Sequence, residues 1–147
     1  NNYEFYEKFT VHESSLSPCI HSIIACKLGK VESAYDLFKR ASRLDLDDYN
    51  KEVEEGLHIT SMAGSWLTIV EGFAGMRVRN NSLHFTPHLP KKWKSLLFKI
   101  NFRGNIYTIK FNQSVFQCSL NSNQDCFIYV NKKRLTFDNN RKAHTSI

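Results

Sequence analysis

A chain of 147 residues, 41% of them apolar, is long enough to bury one ordinary core or two small ones. No run reaches the roughly 18 uncharged apolar residues of a membrane span, and the first residues lack the basic and apolar regions of a signal peptide; neither a membrane nor export is expected. The net charge of +6 is unevenly divided: residues 1–75 carry 7 basic and 12 acidic side chains, residues 76–147 carry 13 and 2, which predicts two units, 1–75 and 76–147. The chain opens Asn1-Asn2-Tyr3 without an initiator methionine, so a preceding segment is expected.

The first predicted element is a helix over 17–28. Ser17 is placed to cap it, Pro18 suits its first position and Gly29 fits the left-handed residue after its last turn. Ile20, Ile23, Ile24 and Leu28 recur at helical spacing and predict its buried stripe. Cys19 and Cys26, seven apart, share a face and read as buried apolar residues. With Cys118 and Cys126 they form no C-x-x-C pair and no zinc spacing, so no metal is expected, and reduced thiols point to a cytoplasmic protein.

A second helix is predicted from Val31 to Arg43, with Ala34, Tyr35, Leu37, Phe38 and Ala41 on its apolar side, packed antiparallel to the first because the turn between them is short. Residues 45–56 are acidic and rich in turn formers, and read as a loop. Its carboxylates, Glu52, Glu54 and Glu55 beside Asp45, Asp47 and Asp48, could be offered as a glycosidase pair, but a solvated loop is the simpler reading. Thr60 or Ser61 then opens a third helix, Met62 to about Phe73. It is apolar on most sides, through Trp66, Leu67, Ile69 and Val70, and so predicted to be buried. Gly64 and Gly72 within it each weaken helicity by about 1 kcal/mol relative to alanine, which predicts close packing against another backbone.

From Met76 the period changes to two. Two short strands are predicted about Asn80-Asn81, then strands over 96–102, 106–111, 115–120 and 127–130, with turns at Arg103-Gly104-Asn105 and Asn121-Ser122-Asn123. This is the pattern of a small antiparallel sheet module, half of a sandwich or jelly roll, with a frayed polar tail from Asp138. Its lysines and arginines are dispersed along the strands rather than clustered, which argues against a nucleic-acid partner.

Two segments carry candidate chemistry. Val11-His12-Glu13-Ser14-Ser15-Leu16-Ser17 sets hydroxyls before one helix, and Gly56-Leu57-His58-Ile59-Thr60-Ser61 does so before another. Helix N-termini present free amides and the positive end of a dipole, so hydroxyls and a histidine gathered there suit a tetrahedral oxyanion such as phosphate. No GxxxxGK[ST] motif points to a nucleotide, and serine-rich helix starts are also common as simple caps.

Quoted with their flanks, these segments carry a family resemblance. Residues 9–19 (Phe9-Thr10-Val11-His12 onward), 44–50, 54–64 (through Gly56-Leu57-His58-Ile59-Thr60-Ser61-Met62-Ala63-Gly64) and 72–77 resemble the end of glycoside hydrolase family 65, whose members include maltose, trehalose, kojibiose and nigerose phosphorylases. The wording of residues 9–17 looks most like its maltose-cleaving branch.

The resemblance implies an α+β chain: the last helices of an (α/α)6 barrel over 1–75, then a small antiparallel C-terminal β-sandwich over 76–147. It implies an inverting, cofactor-free reaction in which inorganic phosphate, the co-substrate, attacks an α-linked disaccharide such as maltose and yields β-glucose 1-phosphate and glucose. The general acid, a glutamate, and a Lys-Gln glucose-binding pair are implied upstream, in the remainder of the barrel, and the full-length protein is implied to be a homodimer. What this chain would supply is the phosphate side: the Ser14 and Ser15 hydroxyls, and the amides of the Gly56 to Ser61 turn with His58 and Thr60.

Overall fold

The computed structural model describes residues 2–12, 14–48, 51, 54, 56–122 and 126–147, and the chain separates into two units, Asn1–Phe73 and Ala74–Ile147. The loop carboxylates Glu52 and Glu55 and the Asn123 end of one predicted turn lie outside the described residues.

The first unit is helical: α1 (Asn2–Glu7), α2 (Ser17–Lys27), α3 (Val31–Ser42), α4 (Leu44–Asp47) and α5 (Ile59–Leu67), which runs on into a π-helical segment, Thr68–Phe73. Gly29, at φ 74°, ends α2 as its sequence predicts. The amides of Gly29 and Lys30 return to the carbonyls of Cys26 and Ala25 at 2.9 Å each, satisfying acceptors that a helix end leaves open.

The predicted helices form, but their buried faces differ from expectation. In α2 the buried residues are Pro18, Cys19, Ser22, Ala25 and Cys26, while Ile20 is 48% exposed and Ile24 and Leu28 are also exposed. Small side chains let neighbouring backbones approach: the Ser22 hydroxyl donates to Ala34 O on α3 at 2.6 Å, and a Cβ at Gly64 would lie 2.9 Å from Cys19 Cβ. The close packing predicted for Gly64 is present; the wholly buried third helix is not, since Met62, Trp66 and Leu67 are exposed. Nor do Thr60 and Ser61 open that helix. It starts at Ile59 behind His58, and the Thr68 hydroxyl donates to Gly64 O, at 2.9 Å, where the helix widens. The predicted loop over 45–56 begins instead as helix, because Arg43 grips Asp47 one turn on through two bonds of 2.7 and 2.6 Å.

The second unit is a sandwich of two four-stranded sheets. One has the order β1 (Arg77–Arg79), β2 (Ser82–Phe85), β6 (Phe127–Val130), β7 (Lys133–Thr136); the other, β3 (Leu96–Phe102), β4 (Asn105–Phe111), β5 (Val115–Leu120), β8 (Lys142–Ser146). Asn80 and Asn81, at φ 46° and 62°, form the left-handed turn their identity predicts, and Arg103-Gly104 forms a second. Leu83, Phe85, Ile128 and Val130 from one sheet face Ile109, Phe111, Phe116 and Cys118 from the other in the core, where the Phe85 and Phe116 rings lie 5.1 Å apart.

Two expectations are corrected. The tail is not frayed: residues 142–146 pair antiparallel with β5 from Ser119 to Val115, because edge pairing is decided by backbone hydrogen bonds and tolerates a polar sequence. The unit is also not purely antiparallel. β2 and β6 run parallel, since the chain returns through the other sheet between them.

Candidate functional site

Three helices bring the two sequence-predicted segments to one end of the first unit. Cys19, in the first turn of α2, meets Gly64 on α5 and receives at its carbonyl the Thr68 hydroxyl at 3.3 Å; Cys26, in the last turn of α2, meets Gly72. Partners advance together, so α2 and the α5 to Phe73 stretch run parallel. α3 runs the other way, touching α2 at Ala34 and α5 at Ala41, where the Ser61 hydroxyl donates to Ala41 O at 2.8 Å. The start of α2, the start of α5 and the end of α3 therefore share one end.

At the start of α2 two backbone amides are engaged within the turn and one position has none. Ser17 N donates to Ser14 O at 3.1 Å, Leu16 N approaches Ser14 Oγ at 3.4 Å, and Pro18 has no amide hydrogen. Ser14 is exposed and Ser15 half-buried. Ser17 does not cap the helix: its hydroxyl bonds His12 Nδ1 at 2.8 Å. The His12 ring, bonded on its other side as well, holds that hydroxyl away from the helix amides.

At the start of α5 the backbone is likewise engaged. The amides of Ile59 and Ser61 donate to Leu57 O and His58 O, and His58 N donates to Asp45 Oδ2 at 3.1 Å. The His58 ring donates from Nδ1 to Asp45 Oδ1 at 2.5 Å, which fixes the ring plane and leaves Nε2 as its other polar atom. These hydrogen bonds, led by the one from the side chain, outweigh desolvation and hold the Asp45 carboxyl below its ordinary value. Gly56, at φ 108°, turns the chain into this segment in a conformation that favours glycine. Thr60 is exposed, whereas Ser61 is 2% exposed with its hydroxyl turned into the helix packing.

Sequence reasoning missed a cluster beneath the Ser14–Ser15 loop. Glu7, at the end of α1, accepts from His12 Nε2 at 3.0 Å and from His21 Nδ1 on α2. Burial alone would raise the Glu7 carboxyl, but the hydrogen bonds from the two rings hold it below the usual range. Tyr3, beside Glu7, is pushed up to about 12 by burial and by that carboxylate. Arg40 completes the arrangement from α3, donating from Nη2 to His12 O at 2.9 Å. Nothing local in the sequence couples Glu7, His12, His21 and Arg40; their meeting depends on how α1 and α3 lie against α2.

Glu7, His12 and His21 also place one ligand atom each within 4.8 Å of one another, a donor set able to hold a divalent transition metal, though here the same atoms are bonded to each other. The cysteines are free thiols with no such grouping, and burial pushes Cys26 and Cys118 up to about 12, which keeps them protonated and inert.

Comparison with known proteins follows the same division of the chain. The model of the glycosyl hydrolase family 65 central catalytic domain matches residues 1–67, and that of the glycosyl hydrolase family 65 C-terminal domain matches residues 76–137. Maltose phosphorylase of Bacillus subtilis (strain 168) is 55% identical over 112 residues, covering 76% of this chain and 15% of that protein. Alpha,alpha-trehalose phosphorylase of Thermoanaerobacter brockii is 42% identical over 137 residues, covering 93% of this chain and 18% of that protein. A solved structure described as a putative kojibiose phosphorylase from human microbiome superposes with a TM-score of 0.91 at 40% identity, over 99% of this chain and 21% of that one. The chain thus spans less than a quarter of the length of each of these three relatives. With two models of one family matching in succession along nearly its whole length, the chain belongs to glycosyl hydrolase family 65.

Proposed function

We propose that these residues are the C-terminal part of an inverting disaccharide phosphorylase and form the phosphate-binding wall of its active site. In the reaction, a phosphate oxygen attacks the anomeric carbon of an α-linked glucosyl unit, the glycosidic C–O bond breaks, and a carboxylic acid protonates the leaving sugar oxygen. The products are β-glucose 1-phosphate and glucose. Phosphate takes the place of the activated water of an inverting glycosidase, so one acid suffices. That acid is a glutamate of the barrel outside these residues, and the residues described here do no proton transfer. The full-length protein is cytoplasmic, acts as a homodimer and needs no cofactor.

The observation that carries this reading is the shared end of α2 and α5, which sets the hydroxyls of Ser14 and Ser15 and the tip formed by Gly56, His58 and Thr60 on the same side of the unit. His58, its ring fixed through Nδ1 by Asp45, stands at this tip beside the place proposed for the anion. Ser61 supports the tip from beneath through Ala41. Both helix dipoles point their positive ends the same way, which favours a doubly charged ion and orients it for in-line attack.

Maltose is the proposed disaccharide, supported by the 55% identity to a maltose phosphorylase. Trehalose and kojibiose are the second reading, supported by the 42% identity to a trehalose phosphorylase and the structural match to a putative kojibiose phosphorylase. In the full-length enzyme, Ser15→Ala or His58→Ala raises KM for phosphate about tenfold, the value of one charge-assisted hydrogen bond, with far less change in KM for the disaccharide. Steady-state kinetics with each substrate varied in turn would show this, and equal effects on both constants reject the role.

A further inference from the structure

Resting on that phosphate reading, we infer that Glu7, His12, Ser17 and His21 form a clasp that fixes the Ser14–Ser15 loop, making Glu7 and His12 positioning residues for an anion that neither touches.

The geometry is that of a closed base. His12 and Ser17 stand on either side of Ser14, Ser15 and Leu16 and are bonded to each other, Nδ1 to Oγ, at 2.8 Å. A loop joined at its foot loses most of its freedom, as loop-closure entropy requires. His12 is in turn bonded to three separate elements: through Nε2 to Glu7 on α1, through Nδ1 to Ser17 on α2, and through its carbonyl to Arg40 on α3. Its side chain is 10% exposed, so these bonds are largely shielded from water. Glu7 then forks to His21, one turn beyond Ser17 on α2, so the foot of the loop is held in register with the helix.

His12 also adopts φ 55°, a left-handed conformation unfavourable for a residue with a side chain. Such a conformation persists only where the surroundings determine it, and here it turns the chain sharply just before the two serines. A carboxylate that is ionised only accepts, so both histidine nitrogens facing Glu7 donate, and the second ring nitrogen of His12 is bonded to the hydroxyl of Ser17. The side-chain polar atoms of Glu7, His12 and Ser17 are bonded within the clasp. The serine hydroxyls above it are then the groups left for a ligand, held in a fixed place rather than sampled among rotamers.

Two variants of the full-length enzyme test this. His12→Asn keeps a residue that tolerates left-handed backbone while deleting the reach to Glu7, and Glu7→Gln keeps the shape of the side chain while setting an amide against a ring N–H. Both are expected to raise KM for phosphate about five- to tenfold, with the disaccharide KM and the melting temperature little changed. Unchanged phosphate KM in folded His12→Asn, beside a raised value in Ser15→Ala, overturns the clasp and leaves the phosphate reading standing. If Ser15→Ala raises both constants equally, the phosphate reading falls and the clasp with it. Activity abolished by a chelator and restored by zinc alone would assign the cluster to a metal and likewise overturn the clasp.

Discussion

Five hydroxyls, Ser14, Ser15, Ser17, Thr60 and Ser61, lie before or within the first turns of the two helices, and their roles diverge. Ser14 and Thr60 are exposed, Ser17 is held by a histidine, and Ser61 is buried against the Ala41 carbonyl. Composition could place all of them near a helix start but not assign each a direction, because direction depends on the phase of α5 against α3. Ser61→Ala leaves that carbonyl without its donor in a dry contact, and should lower stability by about 1–3 kcal/mol in chemical denaturation. A loss within error would mean that the carbonyl finds another partner. The same limit hid Glu7 and His21. A histidine without a sequence partner reads as unassigned until α1 is laid across the start of α2.

At the scale of elements, the three longer helices and six of the strands were legible, because period, caps and turn residues are local signals. What was not legible was which face of α2 turns inward. Ile20, Ile23 and Ile24 formed the more apolar stripe, yet Cys19, Ser22, Ala25 and Cys26 are buried, since small residues allow close approach between helices. Gly64 is the point of closest approach, and its role was readable from glycine alone. Gly64→Ala forces a Cβ against the Cys19 side chain and should cost about 1–3 kcal/mol, seen as a lowered denaturation midpoint. A neutral result would show that α2 and α5 can part without loss. Strands β7 and β8 escaped prediction for a related reason: Lys133–Thr136 and Lys142–Ser146 are polar, and they become strands through the neighbours they pair with.

For the whole molecule, the opposite charge of the two halves and the change of period at Met76 mark two kinds of structure from composition alone. The helical unit leaves Ile20, Ile24, Leu28, Met62, Trp66 and Leu67 exposed, more apolar surface than scattered residues account for. Among the described residues no helix is long and apolar enough to cross a membrane, so a lipid-spanning helix does not explain these faces. The remainder of an (α/α)6 barrel would cover them. The isolated 147-residue chain is therefore expected to self-associate in sedimentation experiments and to form no β-glucose 1-phosphate from maltose and phosphate. Turnover by this chain alone would refute the assignment of the acid to another segment.

The pairing of the last strands has a consequence for biosynthesis. β6 and β7 complete one sheet and β8 completes the other, so residues 127–146 are needed on both layers of the sandwich. Hairpins β1–β2 and β3–β4 can zip as they leave the ribosome, but the long-range β2–β6 and β5–β8 contacts must wait until residues 127–146 have emerged. A nascent chain stalled before residue 127 would display two unfinished sheets with open edges, the state in which chaperones or proteases would meet it.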